Sequence, residues 1–407
     1  MFTKQQKKRY LAIAVALTLG GSLWGSAACT EAADAYTIDA GNPTPDAAHS
    51  VPDEGLGPGV AAGFTNAAAP LTGKTLTVDG VTYAGLAYGG YNKGGGVTGN
   101  HLIIQNGGGI SRSGIVGGYA YGGRAGSGGD ACGNTVTING GSARYVYGGR
   151  AEGTGSADGN RVTLTSGTVR SVLGGSAKGT GNANGNTVII TGCDVHAVYG
   201  GHAAGPNNNP NNESGNADGN TVDIGAVNVD FVYGGSSQYG TTNNNTIHLR
   251  GTRVSGDVVG GSRPNSTGNT LAIHDFGTRV GGFEYVQNLH FYLPEGTTGN
   301  SGNTMLTINS PSGQDIRGVH IGVGVAGQRS ALQKGDVVSL MKVNGTLTTD
   351  AVLANDVSGM QGVSLRYKFD LQKRNADELI ATVTDAAVME QTNSLVETRA
   401  AASAPLH

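Results

Sequence analysis

The chain has 407 residues, a formal charge of −3 at neutral pH, 14% charged residues and 72 glycines. Glycine at about 18% is far above ordinary usage of ~7%, yet no Gly-X-Y period runs through it, which excludes collagen, and recurrent Val/Ile/Thr alternation excludes simple disorder. The acidic balance argues against a nucleic-acid partner, whose phosphates need Lys and Arg.

Residues 1–35 read as a secretory signal peptide. Lys4, Lys7, Lys8 and Arg9 precede a short apolar run from Leu11 to Leu19, and small residues follow. Cleavage is expected after Ala28, or after Ala35 in the A-x-A form Ala33-Asp34-Ala35. The later cut removes four basic and two acidic residues and moves the formal charge from −3 to −5. Cys29 leaves a lipoprotein alternative open, although Ser26 stands where a large aliphatic residue is usual. Beyond Ala35 no run of roughly 18 apolar residues offers a transmembrane helix. Cys132 and Cys193 occupy different phases of the repeat described below, so no disulfide framework is expected.

After a Gly/Pro/Ala-rich segment at 36–73, residues 74–310 repeat. Asparagine before a strand recurs at 100, 134, 160, 186, 220, 245, 269 and 303, and Gly-Gly pairs begin at 89, 122, 148, 174, 200, 234 and 260. The basic step is 26 residues, and the 34-residue step from Asn186 to Asn220 contains a polar insertion, GPNNNPNN, at 205–212. Lys74 lies one step before Asn100 and marks an atypical opening coil.

Within each repeat the period is two: Val136 and Ile138, Val162 and Leu164, Val188 and Ile190 alternate with residues that face water, as in a half-buried strand. A second strand ends at Val146-Tyr147, Val172-Leu173 or Val198-Tyr199, followed by Gly-Gly, where a turn with positive φ is expected. The stretch after it, such as RAEGTGSADGN, reads as a variable polar loop. A single coil buries too few apolar side chains to offset the entropy of ordering it, so the coils must stack, each strand ~4.8 Å from its copy. Asn134, Asn160, Asn186, Asn220 and Asn269 are expected to stack amide on amide as a turn ladder. The fold class is therefore all-β: a parallel β-solenoid, a right-handed β-helix of about nine 26-residue coils. A leucine-rich repeat is disfavoured because its LxxLxLxxN frame is absent.

Residues 311–385 leave the Asn frame and read as a β capping module. Residues 386–407 place Val388, Met389, Thr392, Leu395 and Val396 at helical spacing and predict a terminal helix from Ala386 to Ala402.

The signal peptide, the GNTVxI…VYGG coils, the junction SLRYKFDLQKRNADELIATVTD and the segment EQTNSLVETRAAA together resemble the passenger of a classical monomeric autotransporter of a diderm bacterium. The resemblance extends from the signal to about Ala402, and the junction and helix are its more specific parts. It implies a helix threading an outer-membrane β-barrel and a cap that assists folding outside the cell. The sequence departs from that plan at Ala404-Pro405-Leu406-His407, where the barrel would begin. The expectation is a truncated or frameshifted gene, or a barrel supplied by another chain. The product would sit at the cell surface if linked to a barrel, and in the periplasm or outside the cell on its own.

Motifs for chemistry are sparse. GVGVAG at 322–327 fits GxGxxG but lacks the following helix and ribose-binding acid. HExxH, P-loop, GxSxG and GDSGSP stretches are missing. His196, His202 and His248 lie in different phases and read as strand or loop residues. Asp158 and Asp218 share a phase with Asn184, which suits a tight turn better than calcium. No cofactor, metal or catalytic residue is expected.

The aromatic columns are the candidate site. Tyr88, Tyr121, Tyr147, Tyr199 and Tyr233 share one phase, and Leu173 and Val259 in that phase point to a core position. Tyr119, Tyr145 and Phe231 lie two residues earlier, where Ser171, Ala197 and Asp257 point to exposure. Those three form a candidate surface for a host or matrix glycan or protein. A pectate-lyase-like enzyme would need clustered Asp, Arg or Lys on one face, and an ice-binding solenoid an unbroken Thr-x-Thr array, which Arg161, Asp223 and His248 interrupt. The expected function is a monomeric, non-enzymatic, adhesin-like surface passenger; a polysaccharide-acting β-helix enzyme and a purely structural surface protein are the alternatives.

Overall fold

A computed structural model describes residues 35–53, 57–111, 118–205, 213–326, 331–354, 357–361 and 365–388. The chain separates into two units, Met1–Ala32 and Ala33–His407, and every described residue belongs to the second. Among the described residues the protein is all-β, without helices, and its strands join mainly by parallel pairing into one large solenoid-like sheet.

The alternation read from the repeats sets the pairing. Thr135–Gly153 lies parallel to Arg161–Gly179 with Val136 opposite Val162 and Ile138 opposite Leu164, and Val162 continues to Val188, Val222 and Ile247. Each of these residues is at most 1% exposed, while the residues between them, such as Thr137 and Thr163, are half-buried. A shift of one residue would turn every one of these side chains to the opposite face, so the pattern fixes the register. The 34-residue step keeps it, with Thr187 opposite Thr221. The other long step, from Asn100 to Asn134, takes up its extra residues elsewhere: Gly109 faces Ser142 at one side of the interval and Tyr119 faces Tyr145 at the other, so the additional residues fall between Ser111 and Gly118. Insertions therefore enter more than one connection.

The stack extends past both predicted boundaries. Ala35–Ile38 pairs parallel with Thr75–Asp79, and Gly59–Thr65 with Leu86–Asn92, so the segment at 36–73 contributes strands ahead of the expected start at Lys74. At the other end Asn288–Leu293 pairs with Thr270–Ile273 only 18 residues after it, a strand that the asparagine frame skips on its way to Asn303. Parallel pairing continues to Val337–Val343, which stacks on Thr304–Ile308. At this end the pattern then becomes antiparallel: Glu378–Val388 pairs with Val337–Val343 and with Leu365–Arg374, burying Tyr367, Phe369, Leu379 and Val383. Asn375, with φ of 60°, turns this hairpin. Ala386, Ala387 and Val388 end its last strand rather than begin a helix, because they pair with Tyr367, Arg366 and Leu365. The rest of the predicted helix lies outside the described residues.

Candidate functional site

Two polar devices hold the coils in register. In the first, each ladder asparagine is fully buried and spans neighbouring coils. Asn134 Nδ2 donates to Asn160 Oδ1 at 3.1 Å, and the Asn134 backbone N–H donates to the same oxygen at 2.9 Å. Asn160 repeats this with Asn186, Asn186 with Asn220, Asn220 with Asn245 and Asn245 with Asn269. At its end Gln287 Oε1 accepts from the Asn269 N–H, taking the place expected for Asn303. In the second device, Asp158 Oδ1 accepts from the Asn184 N–H, Asn184 Oδ1 from the Asp218 N–H, and Asp218 Oδ1 from the Asn243 N–H. Asp158, Asn184 and Asp218 thus cap successive coils. Among the described residues no cluster of three or more His, Cys, Asp or Glu side chains is arranged to hold a metal ion.

The glycines have different roles from those expected. The Gly-Gly pairs do not take positive φ; that conformation belongs to the residue before each ladder asparagine, such as Gly133 at 63°, Gly159 at 65° and, without a glycine, Asn244 at 55°. The pairs are required by close approach. A Cβ on Gly149 would lie 2.4 Å from Asn160 Oδ1, and one on Gly148 would lie 2.3 Å from the Gly174 carbonyl oxygen. The polar stretch that follows is not simply a loop, because Ala151, Ala157, Ala177 and Ala183 are fully buried in a second, narrow core of small residues.

The aromatic columns are also placed differently. Val146 belongs to the main core, whereas Tyr145 and Tyr147, on either side of it, lie on the opposite face in an outer cluster. Residues two apart in a strand share a face, so both tyrosine columns point away from the main core. The first column is buried by stacking in its first three members, Tyr88, Tyr121 and Tyr147, whose ring centroids are 5.0 Å apart with interplanar angles of 8° and 13°, whereas Tyr199 and Tyr233 are half-buried. Val51, Ala61 and Leu86 join the same outer cluster. In the second column Tyr119 stacks on Tyr145 at 5.0 Å, both half-buried, and Phe231 is 42% exposed. The structure therefore brings Tyr119 and Tyr145 together and sets Phe231 apart, since Ser171 and Ala197 occupy the two register positions between.

Cations lie over this face. The Arg124 guanidinium is 5.0 Å from the Tyr91 ring centre, Arg144 5.5 Å from Tyr145 and Arg150 5.4 Å from Tyr147, an arrangement attracted by the negative ring face. Glu152 joins Arg150 at 2.9 Å and Arg124 at 3.6 Å. Burial, only partly countered by Arg150 and Arg124, pushes the Tyr121 hydroxyl far above its usual range, so it stays protonated.

Where Ser171 and Ala197 interrupt the second column, a groove of about 500 Å³ opens. Tyr145 and Tyr147 bound one end and Tyr199 the other; Arg150, Arg170 and Lys178 line it, and no Asp or Glu does. Arg170 and Lys178 are exposed. His196 and His202 complete the lining. His196 Nδ1 is 2.6 Å from Asp230 Oδ2, a contact that lowers the Asp230 pKa. Burial lowers that of His202, whose Nδ1 has no hydrogen-bond partner among the described residues. The sequence reading missed Arg150, Arg170 and Lys178. A signal for one of them was present: the second residue after the first glycine of the first five pairs is Tyr91, Arg124, Arg150, Ser176 and His202, a column aligned by the register.

No protein-family model matches the chain, and no curated protein matches it either.

Proposed function

We propose that this chain is the non-enzymatic passenger of a monomeric autotransporter, a secreted or surface-exposed, adhesin-like module that binds a host or matrix ligand on its outer tyrosine face. The observation that carries the reading is the groove: an aromatic and cationic depression on the solvent side of a parallel stack, with no carboxylate among the described residues that line it. Glycoside hydrolysis ordinarily uses two carboxylates flanking the scissile bond, so the described lining disfavours the hydrolase form of the polysaccharide-acting alternative. Support for the passenger reading comes from the plan of the sequence and from the antiparallel module of Val337–Val343, Leu365–Arg374 and Glu378–Val388, which occupies the position of the family's folding cap. In this reading the coils wind as a right-handed β-helix that continues, with altered step lengths, to both sides of the nine coils counted from the asparagine frame.

The test is display. Residues 1–402 fused to an autotransporter barrel should be degraded when intact cells are treated with protease, while periplasmic markers survive. A fusion that is made in full but stays protected on intact cells would overturn the passenger reading.

A further inference from the structure

We propose that the groove beside Tyr145 recognises an acidic saccharide, with a sugar ring against the part of Tyr145 that lines the groove and its sulfate or carboxylate groups on Arg150, Arg170 and Lys178. The proposal rests on the binding-module reading above and names the ligand class for that site.

Three observations carry it. First, no further ring continues the column Tyr119–Tyr145 toward the groove, because Ser171 and Ala197 supply none before Phe231. Three strand spacings, roughly 14 Å, separate Tyr145 from Phe231. A pyranose presents axial C–H groups that pack on an aromatic face, as other flat apolar surfaces do. Second, the chain carries a formal charge of −3, yet the groove lining holds two arginines and a lysine and no carboxylate. Arg150 is already held by Glu152, whereas Arg170 and Lys178 are exposed and form no ion pair among the described residues. Cations gathered at one place in an acidic protein select an anion, and an arginine offers a carboxylate or sulfate a planar pair of donors. Third, His202 Nδ1 is buried at the groove without a partner among the described residues. A buried polar atom left unpaired is costly, and a sugar hydroxyl, donor and acceptor at once, satisfies either tautomer. The Ser171 and Ser176 hydroxyls on the same lining suit the same kind of ligand.

The experiment is calorimetric titration of the purified chain with four probes of equal length: a heparin octasaccharide, an octagalacturonate, the uncharged cello-octaose and a single-stranded DNA octamer. The expected result is binding of one or both acidic saccharides, weakening as salt rises, with little binding of the other two. A preference for the heparin or the galacturonate probe distinguishes sulfate from carboxylate. Arg170→Ala combined with Lys178→Ala should weaken binding by at least about tenfold, and Arg279→Ala, on a strand outside the groove lining, should leave it unchanged. Ser171→Tyr should continue the Tyr119–Tyr145 stack, keep the thermal midpoint and remove binding. Ala197→Phe, beside Phe231, makes the same test if the tyrosine variant does not fold. Unchanged affinity in the double variant, retained binding with the groove filled, or stronger binding of DNA or cello-octaose would each overturn the proposal. Successful display without binding of either acidic probe removes the ligand assignment and leaves the passenger reading standing; binding without display does the reverse.

Discussion

Replacing Asn160 by alanine tests whether the asparagine ladder holds the stack. Asn160 is fully buried. Its Oδ1 accepts from the Asn134 N–H at 2.9 Å and from Asn134 Nδ2 at 3.1 Å, and its Nδ2 donates to the Ala131 carbonyl at 2.8 Å and to Asn186 Oδ1 at 3.1 Å. Truncation breaks four hydrogen bonds. Asn134 Nδ2 keeps the Val97 carbonyl and Asn186 Oδ1 keeps the Asn160 N–H, but the Asn134 N–H loses its acceptor. One orphaned buried donor costs about 1–3 kcal/mol and each of the three further lost bonds about 0.5–1.5 kcal/mol, which gives about 2.5–7.5 kcal/mol for Asn160→Ala. Asn160→Asp keeps the shape but sets an acceptor against the Ala131 carbonyl and adds a buried charge, so it should be worse than alanine. Exposed Thr154→Ala in the same coil should cost under about 0.5 kcal/mol. Urea unfolding followed by circular dichroism supplies the differences. Repeat arrays can lose two-state cooperativity, so amide exchange at Asn134 and Asn186 supplies the local measure. A cost under about 1 kcal/mol for Asn160→Ala, or an aspartate tolerated better than alanine, would refute the ladder's role.

Further outcomes follow from the same geometry. Gly149→Ala should cost about 3 kcal/mol through overpacking against Asn160, more than Gly159→Ala, about 1 kcal/mol, where φ is positive but the space is open; the reverse order in thermal melts would contradict the close-approach account. Val188→Asp should cost more than about 4 kcal/mol, because Val188 is fully buried in the main core, whereas Thr187→Asp, on the opposite face beside Arg161, should change little. Equal losses in chemical unfolding would show the face assignment to be wrong. Burial lowers the pKa values of His101, His202, His248 and His290, and of His274 to about 4. Their neutral forms stabilise the fold fully above the unfolded value near 6.5, and that contribution is lost as pH falls through the window from there toward the lowered folded values. The thermal midpoint should therefore drop between pH 7 and pH 4, and His274→Gln should flatten part of the drop; a midpoint that rises over this range would exclude the mechanism.

The stacked core and the asparagine positions were legible in the sequence because both rest on local periodicity. Val162, Val188 and Val222 alternate with water-facing residues and recur at a nearly fixed step, so a parallel stack places them in one column whatever the rest of the chain does. The ladder from Asn134 through Asn269 follows from the same step. Contacts that neighbouring coils create were not legible. Period two already required Tyr145 and Tyr147 to share a face, but the burial of one and the partial exposure of the other depend on what stacks above and below them. The Gly-Gly pairs look like turn residues until the Asn160 amide is seen where a Cβ would stand. Ala151 and Ala157 look like loop residues until successive coils bring them into a second core. Ala35–Ile38 and Asn288–Leu293 carry no ladder asparagine, and only the strands beside them identify them as part of the stack. The groove is the clearest case. Tyr145, Arg150, Arg170, Lys178 and His202 come from three coils, and their meeting is a property of tertiary register: a repeat fixes what each coil contributes, while the substitutions between coils decide where the surface opens.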